Sequence, residues 1–168
     1  MAEKTLIRRM TEADVDAIHA IEAASFAIPW SREALLKEVT DNRLARYLVL
    51  EKDGEVVAYA GMWLVMDEGH ITNIAVRPDQ RRQGYGLAIV QALLQFAGDL
   101  ELSFATLEVR RSNIAAQSLY HRAGFVDVGY RKHYYEDNKE DALLMCCEHL
   151  PEAREDCPWE TEDEVAFE

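Results

Sequence analysis

The 168-residue sequence predicts a single α/β domain built around one mixed β-sheet. Apolar residues alternate along the chain between helical spacing and strand-like runs, so helices and strands interleave. An Asp53-Gly54 turn joins two apolar runs in the manner of a β-hairpin. A later apolar run ends at Val76 and leads through a basic, glycine-spaced turn into a helical pattern. These three features favour strands lying side by side with helices packed against the sheet.

The amino-terminal part predicts one strand and two helices. The stretch TLIRRM has the pattern of a strand. Thr11 is expected to cap the first helix, with Asp14 three residues on as an approximate capping box. Met10 and Val15 are placed to form a hydrophobic staple across that cap. Ser31 predicts the start of the second helix, REALLKEVT.

The remaining elements follow from the same signals. RYLVLE and EVVAYAGMWLVM flank the Asp53-Gly54 turn, and HITNIAV is a further strand. Residues 84–97 and 113–123 predict helices on either side of the strand FATLEV, and Gly124 is expected to end the second helix in a left-handed conformation. FVDVGYRKHYY and DALLMCCEHL predict a closing pair of strands. The predicted order is therefore β-α-α-β-β-β-α-β-α-β-β.

The charge is unevenly distributed. The formal net charge of −13 makes the chain a poor partner for a nucleic acid backbone. Residues 151–168 hold eight acidic residues and one arginine, a charge of −7, which leaves −6 on residues 1–150. We predict a domain over residues 1–150 and an acidic, flexible tail over residues 151–168. The alternative is that Trp159 and Phe167 dock the tail onto the domain or onto a partner.

The cellular location and the metal content are predicted from the absence of long apolar runs and of typical cysteine and histidine spacings. No apolar run has the length of a membrane span and the start has no signal-peptide core, so we expect a cytoplasmic protein that does not engage a membrane. Cys146, Cys147 and Cys157 show no spacing typical of a disulfide framework or a metal site, and the five histidines are scattered. We therefore expect neither disulfide nor metal.

The stretch RRQGYG, residues 81–86, is the first candidate for binding chemistry. It lacks the Gly-Lys-Ser/Thr of a phosphate-binding loop and the third small residue of a dinucleotide fingerprint, because position 89 is isoleucine. Backbone N–H groups from Arg82 to Gly86 could converge on an anion at the start of a helix, with Arg81 and Arg82 adding charge. A plain surface turn is the alternative, and the residues alone leave both open.

The stretch TLEVRRSNIAAQSLY is the second candidate. Glu108 alternates with Leu107 and Val109 along a strand, which places a carboxylate in the core or in a cleft. It is either half of a buried ion pair with an arginine, or a general base whose pKa burial has raised. Asn113 can cap the next helix, and Tyr120 on that helix can be ordinary core packing.

Around these two candidates the chain resembles the acetyl-coenzyme-A-dependent N-acetyltransferase (GNAT) superfamily. NIAVRPDQRRQGYG matches its pyrophosphate-binding motif, and the similarity extends over about residues 4–148. FAIPW, ATLEVRRSNIAAQSLYHRAGF and RKHYYEDNKEDALLM make the chain look most like the bacterial ribosomal-protein-alanine N-acetyltransferases. The resemblance implies two strands that splay apart at a β-bulge, with the pantetheine arm of the cofactor lying in the gap.

The resemblance also implies roles for individual residues. Glu108 matches the general base and Tyr120 the general acid. The expected cofactor contacts are Ile74, Ala75, Val76, Arg81, Arg82, Gln83, Gly84, Tyr85, Gly86, Leu87 and Asn113. The implied reaction is direct attack of a protein N-terminal α-amine on the thioester of acetyl-coenzyme A, with backbone N–H near Val76 stabilising the oxyanion.

The acceptor is expected to be the N-terminus of a basic protein, and the resemblance implies the N-terminal alanine of a small-subunit ribosomal protein. Trp30, Tyr134 and Tyr135 are the expected walls of the acceptor groove, although each could be ordinary packing. The alternatives are a related enzyme that acetylates a small amine, a polyamine or an internal lysine, and a non-catalytic acyl-coenzyme-A-binding module. A monomer or weak dimer is expected.

Overall fold

The computed structural model describes residues 4–159, and these contain the predicted elements in the predicted order. In chain order they are β1 (Thr5–Arg9), α1 (Val15–Ser25), α2 (Arg32–Thr40), β2 (Ala45–Lys52), β3 (Glu55–Val65), β4 (Glu68–Val76), α3 (Tyr85–Asp99), β5 (Phe104–Arg110), α4 (Ile114–Ala123), β6 (Val126–Arg131) and β7 (Ala142–Cys147). The α/β class and the element order are confirmed.

The seven strands form one sheet in the order β1-β2-β3-β4-β5-β7-β6. Strands β1, β2, β3 and β4 form three consecutive antiparallel pairs. Strands β4 and β5 are parallel, and β7 lies antiparallel between β5 and β6. The parallel step is possible because α3 carries the chain back across the sheet between β4 and β5. The two strands around the parallel step border the site described below.

Both faces of the sheet are covered. Helices α3 and α4 pack on one face, where α3 buries residues such as Ile89 and Leu93 against β2 to β5. On the other face, α1 and α2 bury Ile18 and Leu35 against Tyr47 and Tyr59. The sheet therefore separates two cores, and a side chain on β4 or β5 belongs to one or the other according to its position in the strand.

Several local predictions are confirmed. Asp53 and Gly54 both have positive φ, 51° and 87°, as a tight hairpin turn requires. The Ser31 hydroxyl accepts a hydrogen bond from the Ala34 N–H at 3.1 Å and caps α2. The start of α1 differs from expectation, because the capping box of Thr11 and Asp14 opens a short 3-10 turn that precedes the helix. The first helix therefore begins three residues later than its capping signal indicates.

Residues 151–159 lie against β1 and α3. The Trp159 indole stacks at 5.5 Å from the ring of Phe96 and donates its N–H to the Ile7 carbonyl at 3.3 Å. Arg154 pairs with Asp99 at 2.6 Å. The flexible tail over residues 151–168 and its docked alternative both stay predictions. Phe167 lies outside the described residues, and the domain boundary at residue 150 stays a prediction.

No helix among residues 4–159 combines the length and the apolarity needed to cross a bilayer.

Candidate active site

The site begins with a bulge in β4. Gly61 of β3 pairs with Asn73, whereas the next residue, Met62, pairs with Ile71, so Thr72 is an extra residue in β4. A bulge bends its strand and changes which face the following side chains occupy. Ile71 before the bulge and Ile74 after it both pack toward α3, although three positions separate them. The bend turns the second half of β4 away from β5.

A cleft opens where β4 and β5 separate. Within the described residues, the two strands pair only over Glu68–His70 and Phe104–Thr106. Past that point, residues 71–74 and residues 107–110 form opposite walls of a cleft of about 610 Å³. The rest of its lining comes from the end of α1, the α1–α2 loop, the start and inner face of α4, and the β6–β7 loop. Residues 74–76 pair with β3 on one side, which leaves their other edge toward the gap.

The glycine-spaced turn precedes α3. Gly84 is the N-cap of the helix and has φ +86°, a conformation in which a side chain is strained. Gly86 lies in a narrower space, because an added Cβ would be 3.3 Å from the Leu119 side chain, which would have to shift by a few tenths of an ångström, and at an ordinary 3.6 Å from that of Val76. The first N–H groups of a helix lack intrahelical acceptors and lie at its positive end. The N–H groups at the start of α3 are therefore the ones that the predicted anion cradle would use.

The arginines of this turn differ in their contacts. Arg81 donates from Nε to the Val76 carbonyl at 3.0 Å and from Nη2 to the Ser25 hydroxyl at 3.0 Å. Arg81 therefore holds the turn against the ends of β4 and α1. The sequence instead predicts that it adds positive charge at the mouth of the cradle. Arg82 is exposed with φ +64°. Tyr85 is buried in the core, which leaves its backbone as the part that could meet a cofactor.

Asn113 and Tyr120 lie on α4 at the cleft wall. The Asn113 side chain accepts from the Ala116 N–H at 3.1 Å and so caps the helix. Tyr120 is buried edge-on against Phe125, and burial raises the pKa of its hydroxyl. A tyrosine with a raised pKa keeps its proton at neutral pH, which is the state that a general acid requires.

Glu108 has a partner that sequence reasoning missed. Leu107 and Val109 point into the α3–α4 core, so Glu108 occupies the opposite face of β5. There its Oε2 lies 2.7 Å from Nε2 of His70, the last β4 residue paired with β5. The expected alternative was an arginine partner. The Glu108 side chain is 15% exposed and the His70 side chain 29%, so the pair is largely shielded from water.

The pairing sets the protonation behaviour of both groups. The hydrogen bond from His70 lowers the pKa of Glu108 below its ordinary value, which outweighs the effect of burial. Of the two alternatives for Glu108, the general base with a raised pKa is contradicted, and the ion pair is found with a histidine in place of an arginine. The same hydrogen bond raises the pKa of His70. Glu108 also lines a second cleft of about 290 Å³ together with His70 and Arg131, so the pair lies between two openings.

The three aromatic residues expected at the acceptor groove all line the larger cleft. Trp30, in the α1–α2 loop, lies 6.1 Å from the ring of Trp63. Tyr134 and Tyr135, in the β6–β7 loop, contact each other edge to face at 5.1 Å, and Arg110 stacks on Tyr135 at 4.1 Å. These ring contacts hold the three aromatic side chains in place.

The larger cleft brings together seven of the sixteen predicted site residues, and Ala75 and Val76 are not in its lining. Its lining includes the predicted residues Trp30, Ile74, Glu108, Asn113, Tyr120, Tyr134 and Tyr135. The cradle residues 81–87 are outside this lining, and Arg81 connects them to it through Ser25. Sequence reasoning missed His70 and Glu22. No local signal in the sequence identifies His70, because its contact with Glu108 depends on the pairing of β4 with β5.

The chain is similar to known acetyltransferases. The profile of a family described as acetyltransferase (GNAT) matches residues 15–125. The chain is 42% identical over 145 residues to a protein of Bacillus subtilis (strain 168) provisionally named a ribosomal protein bS18-alanine N-acetyltransferase, covering 86% of this chain and 96% of that protein. It is 37% identical over 143 residues to the ribosomal protein bS18-alanine N-acetyltransferase of Escherichia coli (strain K12), covering 83% and 94%.

Solved structures agree with this similarity. The crystal structure of the ribosomal-protein-S18-alanine N-acetyltransferase from Escherichia coli matches with a TM-score of 0.80 at 32% identity, covering 92% of this chain and 99% of that one. The structure of Ard1 from Thermoplasma volcanium matches with a TM-score of 0.78 at 25% identity, covering 88% and 99%.

Proposed function

The chain belongs to the acetyltransferase (GNAT) family, and we propose that it transfers the acetyl group of acetyl-coenzyme A to the α-amine of an N-terminal alanine on a ribosomal protein. The observation that carries the proposal is the cleft between β4 and β5. Its lining combines the Glu108 carboxylate, hydrogen-bonded to His70, with a protonated Tyr120 between aromatic walls. Acyl transfer to an ammonium needs a base, an acid and a slot for the acyl donor, and a pure acyl-binding module needs only the slot.

Acetyl-coenzyme A fits two features of this chain. The turn over residues 82–87 offers backbone N–H groups to the pyrophosphate, and the edge of residues 74–76 that faces away from β3 offers backbone groups to the pantetheine arm, apart from the Val76 carbonyl, which Arg81 occupies. Asn113 borders the same cleft and can contact the arm while it caps α4. We assign the backbone near Val76 to the oxyanion, because this edge faces the gap in which the thioester would lie.

The His70–Glu108 pair acts as one base. An N-terminal α-amine has an unperturbed pKa of about 8, so much of it carries a proton that must be removed before attack. In the starting state His70 is neutral with its proton on Nδ1, so that the proton of the amine passes to Glu108 and then across the 2.7 Å contact to the vacant Nε2. The raised pKa of His70 and the lowered pKa of Glu108 favour this end state, an imidazolium beside a carboxylate. The apparent pKa of this base belongs to the pair.

Tyr120 completes the proton balance. The free amine attacks the thioester carbonyl, and collapse of the adduct breaks the C–S bond and releases coenzyme A as a thiolate, which Tyr120 can protonate from the wall of the cleft. The second proton that the nitrogen loses as the amide forms restores the Tyr120 hydroxyl. Cys146 and Cys147 are buried on β7, and burial raises the pKa of both thiols. Neither residue lines the larger cleft. Direct transfer between two bound substrates is therefore the mechanism we propose.

The acceptor enters between the aromatic walls. Trp30 lines the same cleft as Tyr134 and Tyr135, and the exposed Glu136, next in the chain, lines it as well. A basic segment after the N-terminal residue fits both this carboxylate and the acidic domain. Every group assigned a role comes from one chain, so a monomer suffices, and the cytoplasm is the compartment in which a ribosomal substrate is met.

Mass spectrometry of peptides incubated with the enzyme and acetyl-coenzyme A tests the proposal. A peptide that starts with alanine and continues with arginines should gain one acetyl group at its α-amine. The same peptide with a blocked N-terminus and an internal lysine is the matched control and should stay unmodified. Acetylation of spermidine or of the internal lysine alone would overturn the acceptor assignment. Acetyl-coenzyme A binding without transfer to any amine would make the chain a binding module.

A further inference from the structure

Glu22 is a buried carboxylate near the end of α1 that the reaction scheme does not use. Its side chain belongs to the larger cleft, although the residue is only 1% exposed. Three donors point at it from three parts of the fold. Oε2 accepts from the Trp30 N–H at 2.9 Å, and Oε1 accepts from Nδ2 of Asn73 at 2.8 Å and from the Tyr59 hydroxyl. A carboxylate is the side chain that can accept all three.

These contacts connect the two sides of the cleft. Trp30 belongs to the α1–α2 loop, the proposed acceptor wall, and Asn73 belongs to the bulge that opens the cofactor gap. Asn73 is fixed in turn, because its Oδ1 accepts from the Tyr47 hydroxyl at 3.1 Å and from the Thr72 hydroxyl at 2.8 Å. The Glu22 side chain therefore connects the α1–α2 loop to β4. The amine would enter over this loop, and the acyl donor would lie on this strand.

We propose that Glu22 is a positioning residue that sets the distance and angle between the acceptor wall and the bulge of β4. The inference rests on the proposed function, since it assigns the loop to the acceptor and the bulge to the donor side. Transfer requires the amine and the thioester to meet within bonding reach, and misplacement of about 1 Å can lower a rate about 100-fold. The cradle at the start of α3 does not contact Glu22, so cofactor affinity should depend on it little.

Glu22→Gln tests the inference with the smallest change of shape. A glutamine has one acceptor oxygen, and its NH₂ would face a donor that the carboxylate now satisfies. We expect kcat/KM for the alanine peptide to fall about 10- to 100-fold, while the Kd for acetyl-coenzyme A changes less than about twofold. Amide exchange of residues 26–30 should become faster, because the Trp30 N–H loses its acceptor.

Asp14→Asn is the matched control. Asp14 is another buried carboxylate, 5% exposed, at the opposite end of α1, where it pairs with Arg8 at 2.8 Å away from the cleft. This variant should lose thermal stability without the change in peptide kcat/KM or in exchange of residues 26–30. If Glu22→Gln does not fold, Tyr59→Phe removes one of the three donors without a cavity and should show the same pattern at smaller size.

The two proposals fail in different ways. If Glu22→Gln matches Asp14→Asn in both peptide kcat/KM and loop exchange, the positioning role is wrong. Equal loss of affinity for peptide and acetyl-coenzyme A would also overturn it, because the residue would then support the fold as a whole. If the wild-type enzyme modifies no N-terminal peptide, the proposed function is wrong, and faster exchange of residues 26–30 in Glu22→Gln would still support the link between loop and bulge.

Discussion

Replacing Gly84 with alanine should separate the cradle from the fold. Gly84 has φ +86° and an added Cβ would meet no atom within 4 Å, so the cost of Gly84→Ala is conformational. A left-handed backbone costs a residue with a Cβ about 1–2 kcal/mol. The chain can relieve that strain by rotating the peptide units at the start of α3. Those units carry the N–H groups proposed to bind the pyrophosphate.

The size of the binding effect follows from the bonds at stake. A hydrogen bond to a charged group contributes about 1.5–3 kcal/mol. Loss of one such bond therefore raises the Kd for acetyl-coenzyme A about 10- to 150-fold, since each 1.4 kcal/mol is a factor of ten. Calorimetric titration measures the Kd, and urea denaturation of the same samples measures the free energy of unfolding.

Gly54→Ala is the control for strain. Gly54 has φ +87° and also has no atom within 4 Å of an added Cβ, but it lies in the β2–β3 turn and contributes no backbone to the cradle. Both variants should lose about 1–2 kcal/mol of stability. Only Gly84→Ala should weaken acetyl-coenzyme A. Equal affinities in the two variants would remove Gly84 from the cofactor site and leave the turn as an ordinary helix start.

Four further changes test the proton-transfer groups and the carboxy-terminal contact. Glu108→Gln removes the group that raises the pKa of His70, so the acidic limb of kcat/KM should move to lower pH and kcat should fall about 10²- to 10⁴-fold. If the acidic limb of the kcat/KM profile for the same peptide does not move, the His70–Glu108 pair is not the base. His70→Gln should lower the melting temperature, and the loss should be largest between pH 4.5 and pH 6.5, the ordinary pKa values of a glutamate and a histidine. The loss should shrink as pH rises through the raised pKa of His70 or falls through the lowered pKa of Glu108, and a pH-independent loss would contradict the ion pair. Tyr120→Phe should lower kcat about 10²- to 10⁴-fold at unchanged Kd for acetyl-coenzyme A, and normal turnover would return Tyr120 to core packing. Trp159→Ala should cost about 2 kcal/mol in urea denaturation, less than a core tryptophan because Trp159 is half-buried, and unchanged stability would show that its contact with Phe96 contributes nothing.

The elements of the fold could be predicted because their signals are local. The Ser31 cap and the Asp53-Gly54 turn each act over a few residues, and both are found where the sequence places them. The position of β7 between β5 and β6 is not local, and no pattern in DALLMCCEHL reports it. The bulge at Thr72 likewise has no glycine or proline to mark it. Its existence was implied by family resemblance.

The roles at the site depended still more on contacts between distant residues. Residue type and strand alternation could identify Glu108 as a carboxylate that needs an explanation. Its partner is 38 positions away, and a sequence without the sheet order cannot reveal which strand lies beside β5. The alternative in which burial raises the Glu108 pKa is contradicted for this reason, since burial was considered and His70 was not. Glu22 was missed because its three donors come from a loop and two other strands.

One structural feature accounts for both the slot and the base. The parallel pairing of β4 with β5 ends at His70, and the bulge at Thr72 turns β4 away immediately afterwards. Where the strands still touch, His70 and Glu108 come within 2.7 Å; where they part, the cleft opens. The proposed base therefore lies where the gap that would hold the thioester begins. A longer parallel ladder would close the slot, and a shorter one would separate the histidine from the glutamate, so binding and proton transfer both require the pairing to stop at this residue.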